Sequence, residues 1–292
     1  TKDESNNTFS IPDYLGVMIE NGWLGQKAKQ GFFKKVVVDG KKKFLSLNFK
    51  TLEYEESPKP KFGIFEKTKE VEKVSARLPI LLSDKGKVGD FYKATFYSLF
   101  QFASLRIPEI SDDIYKVDDA MNAGFGWKLG PFESWDALGV KETISKMEEA
   151  GFKPSDWVYE MVSNGIDSFY KISEGQKYCY DISSKDYKLI PGQDGKISLD
   201  VLRSTSIVWE NTDLTIFDLG DGILNVEFHS KMNTIGAGTL EGLNKAVDIA
   251  EENYKGLIIS NEGDHFSAGA NVGMIYMLAI ERSEERRVGK EC

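Results

Sequence analysis

Histidine and cysteine are scarce in this sequence, whose 292 residues include two of each. The two histidines, His229 and His265, are too few for a zinc site of the cysteine–histidine kind, so no metal site is expected. The two cysteines, Cys179 and Cys292, form neither a CxxC motif nor a disulfide framework. This usage is typical of a reducing compartment, and we expect a cytoplasmic protein.

Long apolar runs and a basic stripe are also missing. No run approaches the ~20 apolar residues that a membrane span needs, and the opening TKDESNN is polar throughout, so no signal peptide is expected. The net charge is −9, with lysine and arginine scattered among acids, which argues against a nucleic-acid surface. A composition of 41% hydrophobic and 28% charged residues is that of a globular protein, and the length allows two domains.

The two ends of the sequence look incomplete or foreign. Thr1 is not an initiator methionine, so we expect the natural chain to begin earlier. Residues 282–292, RSEERRVGKEC, have no apolar periodicity and resemble the translation of a common sequencing adapter. We expect them to be an artefact and the natural reading frame to continue past about residue 281. A natural charged tail is the alternative.

The first 65 residues combine a short helix, a glycine-rich loop and a hairpin. Residues 11–21 are predicted to be a helix stopped by Gly22. The segment GWLGQKAKQGFF (22–33) has three glycines in ten positions, which favours an ordered loop. Residues 36–45 place Asp39-Gly40 between two β-forming runs, which predicts a hairpin, and 57–61 is a linker.

Helices are predicted for residues 66–168. One broad apolar face recurs at three- and four-residue spacings and ends at Pro108; its members are Val88, Phe91, Tyr92, Thr95, Phe96, Leu99, Phe100 and Ala103. Core packing or a ligand tunnel would both use such a face. Ser111 is predicted to cap a further helix that stops at Gly124. The loop GFGWKLGPFE and the run DALG follow.

Two of these motifs resemble the C-terminal domain of 3-hydroxyacyl-CoA dehydrogenases. GWLGQKAKQGFF is similar to the family's G-x-L-G-x-K-x-x-x-G-F-Y, and GFGWKLGPF with DALG is similar to its G-x-G-x-x-x-G-P-F and D-x-x-G. The resemblance implies an all-α domain and NAD as the cofactor of the whole enzyme. No residue here matches the family's Rossmann fingerprint or His–Glu pair, so no cofactor-binding residue is assigned.

An internal repeat points to two copies of this helical unit. A shift of 143 positions aligns Asp13 with Asp156 and Asn21-Gly22 with Asn164-Gly165, together with several apolar positions between them. The loop between Leu24 and Gln30 has no counterpart in the second copy. We therefore expect the second copy to be structural.

The last natural segment, 206–281, has the order strand, strand, helix, strand, followed by HFSAGAN. A glycine-containing loop is the plain interpretation, but HFSAGAN resembles the F-x-A-G-A-D of the crotonase (enoyl-CoA hydratase/isomerase) family. The resemblance implies that the N–H of Ala270 is a catalytic oxyanion donor, and that Ala268 and Gly269 bind substrate, the carbonyl of Ala268 near the CoA adenine. Asn271 stands where the family usually has Asp.

Three polar residues of the same loop are further candidates. Glu262, Asp264 and His265 could act as acid or base, although solvated turn acids and a histidine packed beside Phe266 are the simpler interpretations. The family's second oxyanion donor and its glutamates are expected beyond the end of this sequence.

The predicted fold class is mixed, with an all-α dehydrogenase-like domain followed by a truncated α/β crotonase-like (ββαβ) segment. The predicted parts are 1–35 (end of the first helical repeat), 36–65 (hairpin and linker), 66–168 (second repeat), 169–205 (connector), 206–281 (crotonase-like) and 282–292 (adapter).

The predicted function is that of a fragment, inactive alone, of a β-oxidation enzyme for enoyl-CoA hydration and 3-hydroxyacyl-CoA oxidation. The implied substrate is an acyl-CoA thioester, and a thiolase partner and a homo-oligomer are implied for the whole enzyme. A non-catalytic acyl-CoA or protein-binding module is the alternative.

Overall fold

The computed structural model describes residues 6, 10–57, 59–71, 73–173, 176–192, 195–262 and 265–288, with backbone alone for 281–288. The chain divides into two compact units, Thr1–Lys69 and Glu70–Cys292.

The first unit contains the predicted helix and hairpin. Its elements are α1 (Asp13–Glu20), a 3₁₀ turn (Gln26–Ala28), β1 (Phe33–Val38), β2 (Lys41–Leu47), β3 (Tyr54–Glu56) and α2 (Gly63–Thr68). The strands form an antiparallel sheet in the order β1-β2-β3. The hairpin prediction is confirmed, because Asp39-Gly40 joins β1 to β2.

The second unit begins with six helices around an aromatic core. They are α3 (Val74–Leu82), α4 (Lys87–Leu105), α5 (Ile114–Phe125), α6 (Pro131–Leu138), α7 (Val140–Glu149) and α8 (Asp156–Ser163). Phe100 of α4 stacks on Trp135 of α6 with 4.8 Å between ring centroids. Both side chains are fully buried, so this pair holds the two helices through apolar burial and ring stacking.

Helices α1 and α8 have matching bounds under the 143-residue shift. Both helices are eight residues long, with bounds that differ by 143 at each end. Their C-terminal turns make the same backbone hydrogen bonds: Asn21 to Val17 and Asn164 to Glu160, both 3.0 Å. Met18 and Met161, which the shift also aligns, are both buried.

Three details of the helix predictions are wrong. Ser111 does not cap α5, because its hydroxyl bonds to Asp113 in the preceding turn and the helix begins at Ile114. The helix ends at Phe125, and the glycine that caps it is Gly126, with φ of 67°, rather than Gly124. On α4, Phe91 of the predicted apolar face is 64% exposed, whereas Tyr97, outside that face, is 4% exposed. Tyr97 is covered because Phe152 packs edge-on against its ring.

A small sheet follows the helices and belongs to their core. Its antiparallel strands are β4 (Tyr170–Ser173), β5 (Gln176–Asp181) and β6 (Asp186–Leu189). Phe169, Cys179 and Tyr180 are buried in the same hydrophobic cluster as the helices. This part of the predicted connector is thus integral to the helical core.

The chain then builds a mixed four-stranded sheet. Its elements are α9 (Leu199–Leu202), β7 (Ile207–Glu210), β8 (Leu214–Asp218), β9 (Ile223–Phe228), a 3₁₀ turn (Lys231–Asn233), α10 (Ala237–Asn253), β10 (Gly256–Ile259) and α11 (Val272–Val288). The strand order is β10-β9-β8-β7, with β10 parallel to β9 and the other pairs antiparallel. The predicted order strand, strand, helix, strand is therefore observed from β8 to β10.

The buried face of α10 matches the predicted one only in part. Helical spacing predicts an inward face of Leu240, Leu243, Ala246, Val247 and Ala250. Ala246 is fully buried, and Leu243 and Ala250 pack against the core, but Leu240 and Val247 are each 46% exposed. Thr239 and Gly242 are buried as well. The cause is close packing, because a Cβ at Gly242 would lie only 2.7 Å from Leu214 of β8. Within the part of the chain that the structure describes, no helix has the length and apolarity of a membrane span.

Two glycines near α5 provide a test of this packing. A Cβ on Gly130 would lie 2.3–2.4 Å from Asp118, whereas a Cβ on Gly124 would meet nothing within 4 Å. We expect Gly130→Ala to lower the free energy of unfolding by about 1–3 kcal/mol through overpacking. Gly124→Ala, inside α5, should instead raise it by about 0.5–1 kcal/mol. Urea unfolding of both variants is the measurement, and equal effects would contradict the geometry.

Candidate functional site

The segment 265–271 follows β10 and pairs with Ile235, two residues before α10. Ile235 donates its N–H to the carbonyl of Gly269 at 2.9 Å, and Asn271 donates its N–H to the carbonyl of Ile235 at 2.9 Å. These two bonds make a single parallel bridge between Ile235 and Ala270. The segment is therefore fixed by its backbone.

The bridge leaves the N–H of Ala270 unused. In a parallel bridge, the residue between the two bonded neighbours directs its own N–H and C=O away from the partner. Among the described residues, none accepts a hydrogen bond from the Ala270 N–H, and Ala270 is exposed. The two preceding amides are occupied: Ala268 donates to Met232 at 3.1 Å, and Gly269 donates to the Ser267 hydroxyl at 3.0 Å. Ala270 is the residue of the three whose donor is available.

Gly269 gives the segment a conformation that other residues avoid. Its φ is +90°, outside the range that L-residues readily adopt. The small side chains on either side, those of Ala268 and Ala270, leave the backbone of the segment accessible. The small residues of HFSAGAN therefore serve both the turn and the exposure of the free N–H.

Side-chain amides hold this segment from both sides. The side-chain amide of Asn233 donates to the carbonyl of His265 at 2.8 Å. The hydroxyl of Ser267 donates to the carbonyl of Asn233 at 2.6 Å. Asn261 donates to the carbonyl of Phe266 at 2.5 Å and accepts from the N–H of Phe228 at 2.7 Å. A donor held in this way is preorganised, since little rearrangement is needed when it binds.

Asn271 begins helix α11. Its side-chain oxygen accepts the N–H of Met274 at 3.2 Å, and its carbonyl accepts the N–H of Ile275 at 3.1 Å. Asn and Asp are both strong helix caps. Asn271 therefore serves as the cap as well as an Asp at this position would.

The other polar candidates of the loop have different surroundings. Glu262 is exposed, but its carboxylate also accepts the N–H of Leu199 at 2.8 Å, so it ties the loop to α9. His265 is exposed, and its contact is through its carbonyl. Asp264 lies outside the described residues. No group of acids, histidines and cysteines that could hold a metal ion occurs among the described residues.

A second cluster of polar groups lies in the helical core. Asp118 of α5 is 2% exposed and accepts three hydrogen bonds: from the N–H of Phe132 and of Glu133, both 2.9 Å, and from the Tyr170 hydroxyl at 2.8 Å. The first two donors belong to the first turn of α6, which has no intrahelical partners for them. Burial raises the pKa of Asp118 to about 7, and the three donors oppose this shift without cancelling it.

Asp136 repeats this arrangement one helix later. Its carboxylate accepts the N–H of Phe169 at 2.8 Å, the N–H of Tyr170 at 2.9 Å and the Ser168 hydroxyl at 2.9 Å. Burial raises its pKa to about 6. Asp118 and Asp136 are the two acids of DDAMNAGFGWKLGPFESWDALG that turn inward, and each binds backbone. Together, their hydrogen bonds join α5, α6 and β4.

The side chains around this pair are also engaged. Glu133 forms an ion pair with Lys177 at 2.8 Å, and the Lys177 ammonium lies 4.4 Å from the ring centroid of Tyr170. Burial raises the pKa of Cys179 to about 12, so its thiol stays protonated. The sequence alone did not identify this cluster as a unit; its signal was the pair of acids flanking GPF.

Comparison with known proteins shows what this chain is similar to. No protein-family model and no solved structure matches the chain. It is 37% identical over 276 residues to a probable 3-hydroxyacyl-CoA dehydrogenase of Bacillus subtilis, covering 94% of this chain and 34% of that protein. The name of this relative supports a relationship of the chain to the 3-hydroxyacyl-CoA dehydrogenase family.

The similarity extends to longer enzymes of fatty acid oxidation. The chain is 26% identical to a putative fatty acid oxidation complex trifunctional enzyme of Rickettsia prowazekii, over 94% of this chain and 33% of that protein. A protein of the same description from Rickettsia felis is 25% identical over 89% of this chain. The chain thus spans about a third of the length of the curated relatives it matches.

The buried carboxyl of Asp118 predicts a pH-dependent stability. Its pKa is about 7 in the fold against 3.8 for an ordinary Asp, so its protonated form favours folding. That contribution is complete at low pH and is lost as pH rises through 7. We expect the stability of the native chain, measured relative to Asp118→Asn, to fall between pH 5 and pH 8.

Urea unfolding at both pH values measures this difference. The control is Asp119→Asn, which changes the neighbouring, exposed acid of the same helix. This control removes one negative charge from the same helix without touching the buried site. A constant difference for Asp118→Asn would show that this carboxyl does not titrate in the range.

Proposed function

We propose that this chain is part of a fatty acid β-oxidation enzyme that oxidises 3-hydroxyacyl-CoA with NAD and hydrates enoyl-CoA. The relatives named as dehydrogenases and trifunctional enzymes support the first activity and the pathway. HFSAGAN and the strand, strand, helix, strand order support the second. NAD is proposed for the enzyme as a whole, and no residue of this chain is assigned to it.

The free N–H of Ala270 is the observation on which the proposed thioester chemistry rests. Hydration of an enoyl thioester passes through an enolate, whose negative charge develops on the thioester oxygen. A backbone donor about 2.7–3.1 Å from that oxygen stabilises the charge. Ala270 offers such a donor, fixed by the bonds of its neighbours to Ile235 and not engaged with any described residue.

Ala268 and Gly269 are proposed to contact the CoA part of the substrate. The carbonyl of Ala268 accepts no hydrogen bond from a described residue, and Ala268 is exposed. It can therefore accept a bond from an amino group such as that of adenine. Gly269 has no side chain to obstruct an approaching ligand.

One oxyanion donor alone does not complete a hydratase. An added water needs a base and an acid within hydrogen-bond reach of the reacting carbons. Glu262, the nearest acid in the described sequence, is engaged with Leu199. We therefore propose that this chain binds the thioester and polarises it, but does not turn it over.

The enolate of acetoacetyl-CoA provides a direct test. Binding beside a free N–H should shift this ligand toward its enolate, which is followed by the enolate absorption band. We expect the band to increase with the native chain and to be lost in Ala270→Pro, which removes the N–H. Because that N–H bonds to no described residue, the melting temperature should not fall.

The matched control is Ala268→Pro, two residues earlier. It removes an N–H that does bond, to Met232, so we expect it to lower the melting temperature. An unchanged enolate band in Ala270→Pro would overturn the role of Ala270. Binding without any enolate band in the native chain would favour a non-catalytic acyl-CoA-binding module, and turnover of crotonyl-CoA would contradict the proposed inactivity.

A further inference from the structure

A cavity of about 760 Å³ lies between helices α4 and α7, well apart in sequence from the HFSAGAN segment. One wall is formed by Asp90, Lys93, Ala94 and Tyr97, which share one face of α4. The opposite wall is formed by Thr143, Lys146 and Glu149 of α7. Its volume is within the range of small-molecule sites, about 300–1,000 Å³.

Apolar groups form much of the cavity lining. The side chains are Pro79, Leu82, Ala94, Leu138, Ala150 and Phe152. Leu82 is 8% exposed and belongs to the hydrophobic core, so the inner surface of the cavity is continuous with that core. Such a surface is suited to an apolar chain, because burying it removes hydrocarbon from water on both sides.

Tyr97 places one polar group in this apolar lining. The residue is 4% exposed, and its ring is fixed edge-on against Phe152 with centroids 6.2 Å apart. None of the described residues hydrogen-bonds to its hydroxyl. The hydroxyl oxygen is not among the fully buried unpartnered atoms of the described residues, so it reaches solvent in the cavity. A ligand oxygen in the cavity can therefore accept a hydrogen bond from Tyr97 in place of solvent.

The hydroxyl of Tyr97 remains a donor at neutral pH. Burial, with the carboxylate of Glu149 as a second cause, raises the pKa of Tyr97 above its ordinary value. The group therefore keeps its proton and can donate it to an oxygen of a ligand.

The charged groups of the lining favour an anion. Three lysines (Lys85, Lys93, Lys146) face two acids (Asp90, Glu149), which gives a local net charge of +1 in a chain of net charge −9. Lys93 also donates to the carbonyl of Asp84 at 3.2 Å, which fixes its ammonium at the wall. An apolar surface edged by ammonium groups is complementary to a molecule with an apolar chain and an anionic head.

We propose that this cavity binds an amphipathic anion, with its chain on the apolar lining, its head among the lysines and a hydrogen bond from Tyr97. The proposal is independent of the function proposed above, because it requires no thioester and no residue of 265–271. The shared chemistry of the ligand is an aliphatic chain with a carboxylate or phosphate head.

Titration calorimetry of the 292-residue chain with decanoate, below its micelle concentration, tests the site. Ala94→Trp places a large ring in the cavity from an exposed helical position and should weaken binding about tenfold or more. Thr95→Trp, on the exposed neighbouring face of α4, is the matched control and should bind as the native chain does. Equal loss in both variants, or no binding by a native chain shown to be folded by circular dichroism, would overturn the proposal.

Two further variants separate the head group from the hydroxyl. Tyr97→Phe removes only the donor and should weaken binding roughly three- to tenfold, while Tyr92→Phe on the same helix should not. Lys146→Gln should weaken decanoate but not decanol, while Lys141→Gln, outside the cavity on the same helix, should change neither. Equal affinity for decanoate and decanol would overturn the anionic head. Decyl phosphate binding more tightly than decanoate would identify a phosphate head.

Discussion

The helical part of this protein depends on two carboxyl groups, one buried and one partly buried, that bind backbone amides. Asp118 satisfies the first turn of α6, and Asp136 satisfies the start of β4. An amide buried without a partner costs about 1–3 kcal/mol. Each aspartate removes this cost for backbone N–H groups that have no partner within their own turn. The aromatic core from Phe100 to Trp157 packs around this polar centre and keeps water out of it. The raised pKa values of both acids are the consequence of that exclusion.

The candidate site is built from backbone in a similar way, but it points outward. Asn233, Asn261 and Ser267 hold the main chain, while the side chains next to the free N–H are kept small. The distinctive feature of HFSAGAN is therefore a backbone N–H, that of Ala270, which no described residue occupies. In the core, the N–H groups of Phe132 and Glu133 in the first turn of α6 both donate to Asp118. At Ala270, by contrast, the N–H is held in place by the bonds of its neighbours, and no described residue accepts from it.

Local patterns in the sequence predicted local structure well. The hairpin at Asp39-Gly40, the two strands before α10, helix α10 and helix α1 all depend on turn residues and periodicity close by in the sequence. The errors arise at residues whose burial depends on an element far away in the sequence. The buried face of α10 is set by Leu214 approaching Gly242, and the burial of Tyr97 is set by Phe152, which is 55 residues away in the chain. The role of Asp118 depends on Tyr170, which no periodicity connects to it.

Cys179 acquires a particular property from its position in β5. Its side chain is buried with Phe169 and Tyr180 in the helical core, and burial raises the pKa of its thiol to about 12. Thiolate is the reactive form, so an alkylating reagent can modify Cys179 only during openings that admit solvent to the core. The rate of that modification therefore reports how often the core opens, at the junction that Asp118 and Asp136 hold closed. Cys179 is thus a built-in probe of local opening in the helical core.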